Sequence, residues 1–257
     1  MGNNRTPTKI SQLSSRALSL AAALPTTETA KIARWLYQYG SLPRGPTIDL
    51  DFGPGDDPMA VLGLTPGGKA RRKLEATYEA TTYPSWISFS LTLTPTLIQA
   101  ACKLYVSPRP EALATSFPVI AETFVEMKVR SFKVGRGIEG LLRPDKIIAY
   151  FDNRSDLDAV VNTLCEKLDG CPAQGVPFTA EAGLDGLLSW GIDPPLNTEA
   201  LSWRSWITKR LAHEIVKVRP STGNLAVAAA LSGVTALGVN TAQWTADKCT
   251  FSGEATS

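Results

Sequence analysis

Residues 131–153, SFKVGRGIEGLLRPDKIIAYFDN, contain the clearest strand patterns of the chain. This stretch begins with a short strand pattern, SFKV, and ends with DKIIAYFD (145–152), whose β-branched and aromatic residues are typical of a buried strand. Between them lies GRGIEGLLRP (135–144), which its glycines and proline predict to be a loop. The stretch therefore predicts two strands joined by a loop.

The same region gathers positive charge. Lys128, Arg130, Lys133 and Arg136 lie within MKVRSFKVGR (127–136) with no acidic residue among them, although the whole chain has a net charge of only +2. A solvated strand would explain these cations, and so would a surface that faces a bound anion.

Further strands and helices are predicted on both sides of this stretch. Alternating apolar and polar residues predict strands at SWISFSLTLT (85–94) and KLYV (103–106). Apolar residues at helical spacing predict helices at 17–24, 26–40, 69–80, 110–124 and 201–218, and another behind a capping box formed by Ser155 and Asp158. This order of elements predicts a mixed α+β fold, with a mixed or antiparallel sheet and flanking helices.

The composition excludes several classes of function. The 26 basic residues are balanced by 24 acidic ones, which is too even for a general nucleic-acid binder, so any anion site must be local. The four cysteines lack the spacing of a zinc site and His213 is the single histidine, so we expect a cytosolic protein without a metal or another cofactor. The uncharged run within 220–246 is rich in alanine and glycine, and we predict no membrane segment.

Strand alternation places the lysines of two strands on polar faces. In CKLYV, Lys103 and Tyr105 share one face, and in RSFKV the same rule sets Lys133 opposite Phe132 and Val134. Considered alone, the two lysines are typical of the wet face of an antiparallel sheet.

The segment GLTPGGKA (63–70) has the glycine and lysine spacing of a phosphate-binding loop. Ala70 stands where such loops carry the serine or threonine that holds magnesium. A glycine-rich turn before a helix is the simpler interpretation, and a nucleotide-dependent enzyme is the alternative.

Several segments, in order, resemble one known family. These segments are KLYVSPRPEALATSFPVIAETF, SFKVGR and LLRPDKIIAYFDN, with ARWLYQYG before them and SWRSWITKRLA after them. Their order and spacing resemble the HopA-type effector family, whose fold is that of the phosphothreonine lyase effectors, over roughly residues 25–215. The resemblance implies one lyase-like domain at 1–219, with a helical N-terminal part and loop (1–99), a catalytic part (100–219) and an extension at 220–257.

The resemblance also implies a site. Lys133 matches the lysine that serves as general base, and Tyr105 stands where the lyases keep a histidine as general acid. The implied phosphate-binding residues are Lys103, Arg143, and Arg204 or Arg210. No metal takes part in the implied reaction.

The implied function is elimination of phosphate from phosphoserine or phosphothreonine in a precursor peptide, which leaves dehydroalanine or dehydrobutyrine. Relatives of this kind act in lanthipeptide or thioamitide biosynthesis, which implies a phosphorylated precursor peptide and a peptide kinase as partners in a bacterial cytoplasm. The alternative is a HopA-type effector or a phosphopeptide-binding protein without catalytic activity, because the family's histidine is missing at Tyr105.

Overall fold

The computed structural model describes residues 7–45, 52, 57–91, 102–194, 202–218 and 223–246. The chain forms two compact units, the first comprising residues 1–39, 177–181 and 191–257 and the second comprising 40–176 and 182–190. The single domain predicted at 1–219 and its boundary at 99 stay predictions.

The described helices and strands confirm the mixed α+β class. The helices are α1 Lys9–Ala22, α2 Thr29–Gln38, α3 Pro58–Val61, α4 Lys69–Glu75, α5 Leu113–Glu126, α6 Gly137–Leu142, α7 Arg154–Lys167, α8 Trp203–Lys217 and α9 Gly223–Ala236. The strands are β1 Glu79–Thr82, β2 Trp86–Ser90, β3 Cys102–Val106, β4 Ser131–Gly135, β5 Ile147–Phe151, β6 Ala180–Gly183, β7 Leu188–Gly191, β8 Val239–Asn240 and β9 Thr245–Ala246.

Seven of these strands form one sheet in the order β1-β2-β4-β5-β3-β7-β6, and β8 pairs with β9. The central pairs β1 with β2, β2 with β4, β4 with β5 and β5 with β3 are all antiparallel. One face of the sheet is apolar, and there Phe132 stacks on Phe89 and contacts Phe124 of α5 and Tyr78. These aromatic contacts bury the even-numbered residues of β4, so the odd-numbered ones lie on the opposite face.

The first unit has its own core between α1, α2, α8 and α9. Trp203, Trp206 and Ile207 of α8 are buried there, together with Ala226 and Ala230 of α9. The described part of the segment predicted as an extension, 223–246, therefore contributes to a core. Among the described residues, no helix is both long and apolar enough to cross a membrane.

Three predicted elements differ from the structure. Residues 137–142 form α6 rather than a loop, because Leu141 and Leu142 are buried and the turn is close-packed on β4. The helix predicted at 69–80 ends at Glu75, and the chain turns into β1. Helix α7 begins at Arg154 rather than behind Ser155, because the Asn153 side chain accepts a hydrogen bond from the Asp156 N–H.

Candidate functional site

The strand register assembles a polar row across one face of the sheet. Lys133 of β4 pairs with Ser88 of β2 on one side and with Ile148 of β5 on the other, and Ile148 pairs with Tyr105 of β3. In the adjacent row Tyr150 lies between Ser131 and Lys103. Directly paired residues share a face, so Lys103, Tyr105 and Lys133 lie on the same side of the sheet, as their alternation predicts.

Three cations meet two aromatic rings on this face, and we call them together the sheet-face cluster: Trp86, Lys103, Lys133, Arg143 and Tyr150. Lys133 Nζ lies 4.3 Å from the centre of the Trp86 ring and 5.8 Å from that of Tyr150. Arg143 Cζ lies 4.8 Å from the Trp86 centre, and Lys103 Nζ lies 5.3 Å from the Tyr150 centre. The cluster therefore brings two of the predicted phosphate-binding residues to the predicted base.

The residues of the cluster differ in burial. Lys103 is only 8% exposed, whereas Trp86, Lys133, Arg143 and Tyr150 are half-buried. A half-buried cation keeps part of its surface for a ligand while it loses some of its hydration, which strengthens its interaction with an anion. The cluster is thus suited to binding a phosphate group.

Only one of the four cations in 127–136 belongs to the cluster. Arg130 forms an ion pair with Asp152, and Arg136 donates to the carbonyl oxygen of Tyr83. Of the positive charges around residue 130, Arg130 and Arg136 therefore make ordinary surface contacts, and Lys133 is the one that belongs to the cluster.

Arg143 is held in a fixed orientation by a carboxylate two residues away. Its Nε donates to Asp145 Oδ1 at 2.9 Å and its Nη2 donates to Asp145 Oδ2 at 3.1 Å. The Asp145 side chain is almost fully buried, so this bidentate pair fixes the guanidinium plane.

A buried lysine supports the segment that carries Arg143. The Lys146 side chain is fully buried, and its Nζ donates to the carbonyl of Pro108 at 2.7 Å and to the side-chain oxygen of Gln174. The Gln174 amide donates in turn to the carbonyl of Leu142, directly before Arg143. Burial lowers the pKa of Lys146 to about 7, and a neutral amine has two N–H groups, which match the two acceptors.

Tyr105 lies deeper than the other predicted site residues. Its side chain is 2% exposed and packs with Ile148 and Val176, and Trp86 and Tyr150 pack against this group. The predicted acid is therefore a neighbour of the sheet-face cluster, on its inner side.

Arg204 and Arg210 belong to the first unit. The guanidinium of Arg204 is 1% exposed, donates to the carbonyl oxygen of Tyr37 at 2.7 Å and lies over the Tyr37 ring. Arg210 is exposed, with its guanidinium 6.0 Å from the centre of the Trp206 ring. The phosphate-binding role predicted for one of them stays a prediction, and the burial of Arg204 favours a structural role for that residue.

Three site residues were missed by sequence reasoning. The alternation of residues along β5 places Tyr150 on the polar face, so its position could have been predicted from the sequence. An aromatic residue in a strand of apolar residues is, however, typical of the hydrophobic core. The same holds for Trp86, an aromatic residue that the alternation of β2 places on the polar face. Lys146 carried no signal, because nothing in its local sequence distinguishes a buried lysine from an exposed one.

The glycine-rich segment 63–70 forms a tight turn. The N–H of Gly68 donates to the carbonyl of Thr65, and the N–H of Arg71 donates to that of Gly63. These N–H groups are used inside the turn instead of facing a phosphate, which favours the simpler interpretation. Within the described ranges, no group of three or more His, Cys, Asp or Glu side chains is arranged to hold a metal ion.

Comparison with known proteins identifies a shared fold. No family model matches the sequence, and no curated protein matches it. An effector protein from Pseudomonas syringae pv. tomato strain DC3000 superposes with a TM-score of 0.57 at 10% identity, covering 93% of this chain and 99% of the effector. An effector from Pseudomonas syringae pv. syringae strain 61 gives 0.57 at 13% identity, covering 95% and 99%. The chain therefore has the fold of these effectors, as the resemblance predicts.

The phosphothreonine lyase SpvC, an effector protein from Salmonella, is a more distant match. It aligns over 73% of this chain and 91% of its own, with 12% identity and a TM-score of 0.35. This score is too low to add to the fold assignment, which depends on the two Pseudomonas effectors.

Proposed function

We propose that this protein eliminates phosphate from phosphoserine or phosphothreonine in a peptide and leaves dehydroalanine or dehydrobutyrine. The observation that carries the proposal is the sheet-face cluster, in which Lys133 and Arg143 contact the same Trp86 ring and Lys103 joins them through Tyr150. An anionic substrate with a reactive carbon next to it is the ligand that such a set of groups suits best.

Arg143 and Lys103 bind the phosphoryl group in this proposal. A guanidinium gives paired hydrogen bonds to phosphate oxygens, whereas the lysine supplies a point charge. Because Asp145 already orients Arg143, little freedom is lost when the substrate binds.

Lys133 acts as the general base. Its amine, in the neutral form, accepts the proton from Cα, and the C–H electron pair forms the Cα–Cβ double bond. The Cβ–O bond breaks and phosphate leaves with that electron pair. Tyr105 donates a proton to the departing oxygen, and Lys103 stabilises the charge that develops there.

We propose further that the substrate is a precursor peptide of lanthipeptide or thioamitide type, phosphorylated by a peptide kinase in a bacterial cytoplasm. The support is the resemblance of the segments around Lys103, Lys133 and Arg143 to the family that includes such lyases. The proposed reaction uses no metal or other cofactor.

The test is incubation with a phosphothreonine peptide, followed by mass spectrometry for loss of phosphoric acid. Lys133→Ala should lower the rate by about a hundred- to ten-thousand-fold, because a positioned base is lost, while phosphopeptide binding persists. Loss of binding together with turnover in this variant would contradict the role of Lys133 as base.

A second candidate function is that of a HopA-type effector or a phosphopeptide-binding protein without catalytic activity. It is favoured by the tyrosine at position 105, where the lyases keep a histidine, and by the fold shared with two effector proteins. In the same assay this candidate predicts that the phosphopeptide is retained by the protein and recovered unchanged.

A further inference from the structure

A cavity between two helices of the first unit is lined by basic side chains. Its volume is about 560 Å³, and its described lining residues all come from α2 and α8. Arg34 of α2 lies on one side, with Lys209, Arg210 and His213 of α8 on the other, and no acidic residue is among the described residues that line the cavity. These four side chains are exposed, so they are accessible to a ligand from solvent.

The helical repeat explains the shape of this cavity. On α2, Ala30, Ala33 and Tyr37 recur at three- and four-residue spacing and line it together with Arg34. The two alanines have small side chains, which leaves space between the helices. Trp206 of α8 lies beneath this space with 4% exposure, and Arg210 lies above its ring. The result is an apolar floor with a basic rim.

Two glutamates of α2 and α8 pair with lysines outside the cavity. Glu28, at the start of α2, pairs with Lys31, and Glu214 of α8 pairs with Lys217. Neither glutamate lines the cavity. The described lining of the cavity is therefore basic, on a protein whose net charge is only +2.

We propose that this cavity is a docking site for an acidic peptide segment, with carboxylates that contact the basic rim and an apolar side chain that packs on Tyr37 and Trp206. The cavity is much larger than a single phosphate, and its floor is apolar, so a small inorganic anion would leave most of it unused. Clusters of basic side chains are a recurrent means of recognising acidic motifs in peptides.

The proposal deepens the proposed function, on which it rests for the identity of the ligand. The acidic segment belongs to the same peptide as the phosphorylated residue but lies outside it in sequence. Docking of such a segment raises the effective concentration of the phosphorylated residue, so it lowers KM without new contacts at the reacting atoms. A lyase of this kind would select its substrate partly by residues remote from the phosphate.

Binding is tested by fluorescence polarisation with a labelled short peptide of glutamate and leucine that contains no phosphorylated residue. The double variant Arg34→Ala with Lys209→Ala removes two rim cations. The matched control, Lys31→Ala with Lys217→Ala, removes the same charge from the same two helices outside the cavity. We expect the first variant to bind about tenfold more weakly than the natural protein, and the control to bind within about twofold.

Three results would overturn the proposal. The first is that the natural protein fails to bind the acidic peptide, and the second is that the two double variants weaken binding equally. The third is that a single-stranded oligonucleotide of equal charge binds as tightly as the peptide. The same peptide with glutamine in place of glutamate should not bind.

The two proposals fail separately. Appending the acidic segment to a phosphothreonine peptide should lower KM for the natural protein but not for the variant without Arg34 and Lys209. Absence of elimination would refute the lyase function and leave the binding experiment valid. Elimination with a KM unaffected by the acidic segment would refute the docking site alone.

Discussion

At the scale of single residues, the three cations of the sheet-face cluster lie close together although they repel one another. Lys133 and Arg143 both lie over Trp86, and Lys133 and Lys103 both lie near Tyr150. An aromatic face attracts a cation by about 0.5 to 2 kcal/mol, so the two rings offset part of this repulsion before an anion binds. Trp86 is therefore a positioning residue, acting through Lys133 and Arg143.

Replacing Trp86 by leucine tests this role. We expect kcat/KM to fall by about tenfold, with a lower kcat from the displaced base and a higher KM from the displaced arginine. Trp190→Leu is the matched control, since Trp190 is also half-buried and contacts Arg154 outside the cluster. Equal effects of the two substitutions would show that only general packing is lost.

Two phenols compete for the role of the acid. Tyr105→Phe should lower kcat by about a hundredfold or more, because a proton donor is removed while the buried ring is kept. Tyr150→Phe should keep most of the activity, because the proposed role of this ring is to contact Lys103 and Lys133. Steady-state kinetics of both variants decide the assignment, and the reverse order of effects would transfer the acid role to Tyr150.

The buried Lys146 makes stability depend on pH. Its pKa is about 7 in the folded protein against an ordinary value of 10.5, so between these values the unfolded chain binds more protons. Stability should therefore rise with pH from about 7 to about 9, by on the order of 1 kcal/mol per pH unit, and level off below this range. Above pH 9 the buried Cys102 thiol, whose pKa burial raises to about 11, opposes the rise. Denaturant unfolding at several pH values should show this rise in the natural protein and in Lys31→Met, but not in Lys146→Met.

At the scale of elements, the local pattern of residue types predicted strands β2 to β5 and, for β3 and β4, the faces of their side chains, because a strand's period of two is local. It did not predict α6. Gly135 and Gly140 are typical of a loop in the sequence, but in the structure α6 packs closely on β4 at these two glycines. A Cβ atom added to Gly135 would lie 2.3 Å from the carbonyl oxygen of Gly140. Such packing between elements leaves no periodic signal in the sequence. The long-range support of Lys146 by Gln174 is invisible for the same reason.

Gly135→Ala tests the packing of α6 on β4. The added methyl group would meet backbone atoms, so α6 must move, and we expect a loss of about 1 to 3 kcal/mol in the free energy of unfolding. Activity should fall as well, because Gly135 follows Lys133 by two residues and α6 leads into Arg143. Gly45→Ala is the control, since a Cβ atom there meets nothing within 4 Å. Denaturant unfolding of the two variants measures the difference.

At the scale of the whole molecule, the positive charge that could attract an anion is concentrated in small clusters and is not spread over the protein. The chain carries a net charge of only +2, yet the sheet-face cluster of the second unit holds three cations. The composition predicted that any anion site must be local, but it did not predict where. Attraction of a phosphopeptide should therefore come from a few groups at short range, and not from the field of the entire protein.

Salt dependence distinguishes these two sources of attraction. Raising the salt concentration from about 0.1 M to about 1 M shortens the screening length from about 10 Å to about 3 Å. For a phosphopeptide without other charges, KM should rise over this range while kcat changes little, because the salt screens binding rather than the proton transfer. Arg143→Gln should reduce the slope of KM against salt. Arg154→Gln removes the same charge from an exposed ion pair with Asp158 in the same unit and should leave the slope unchanged. Equal slopes in both variants would mean that the substrate responds to the total charge, which would contradict the role of Arg143 as a phosphate ligand.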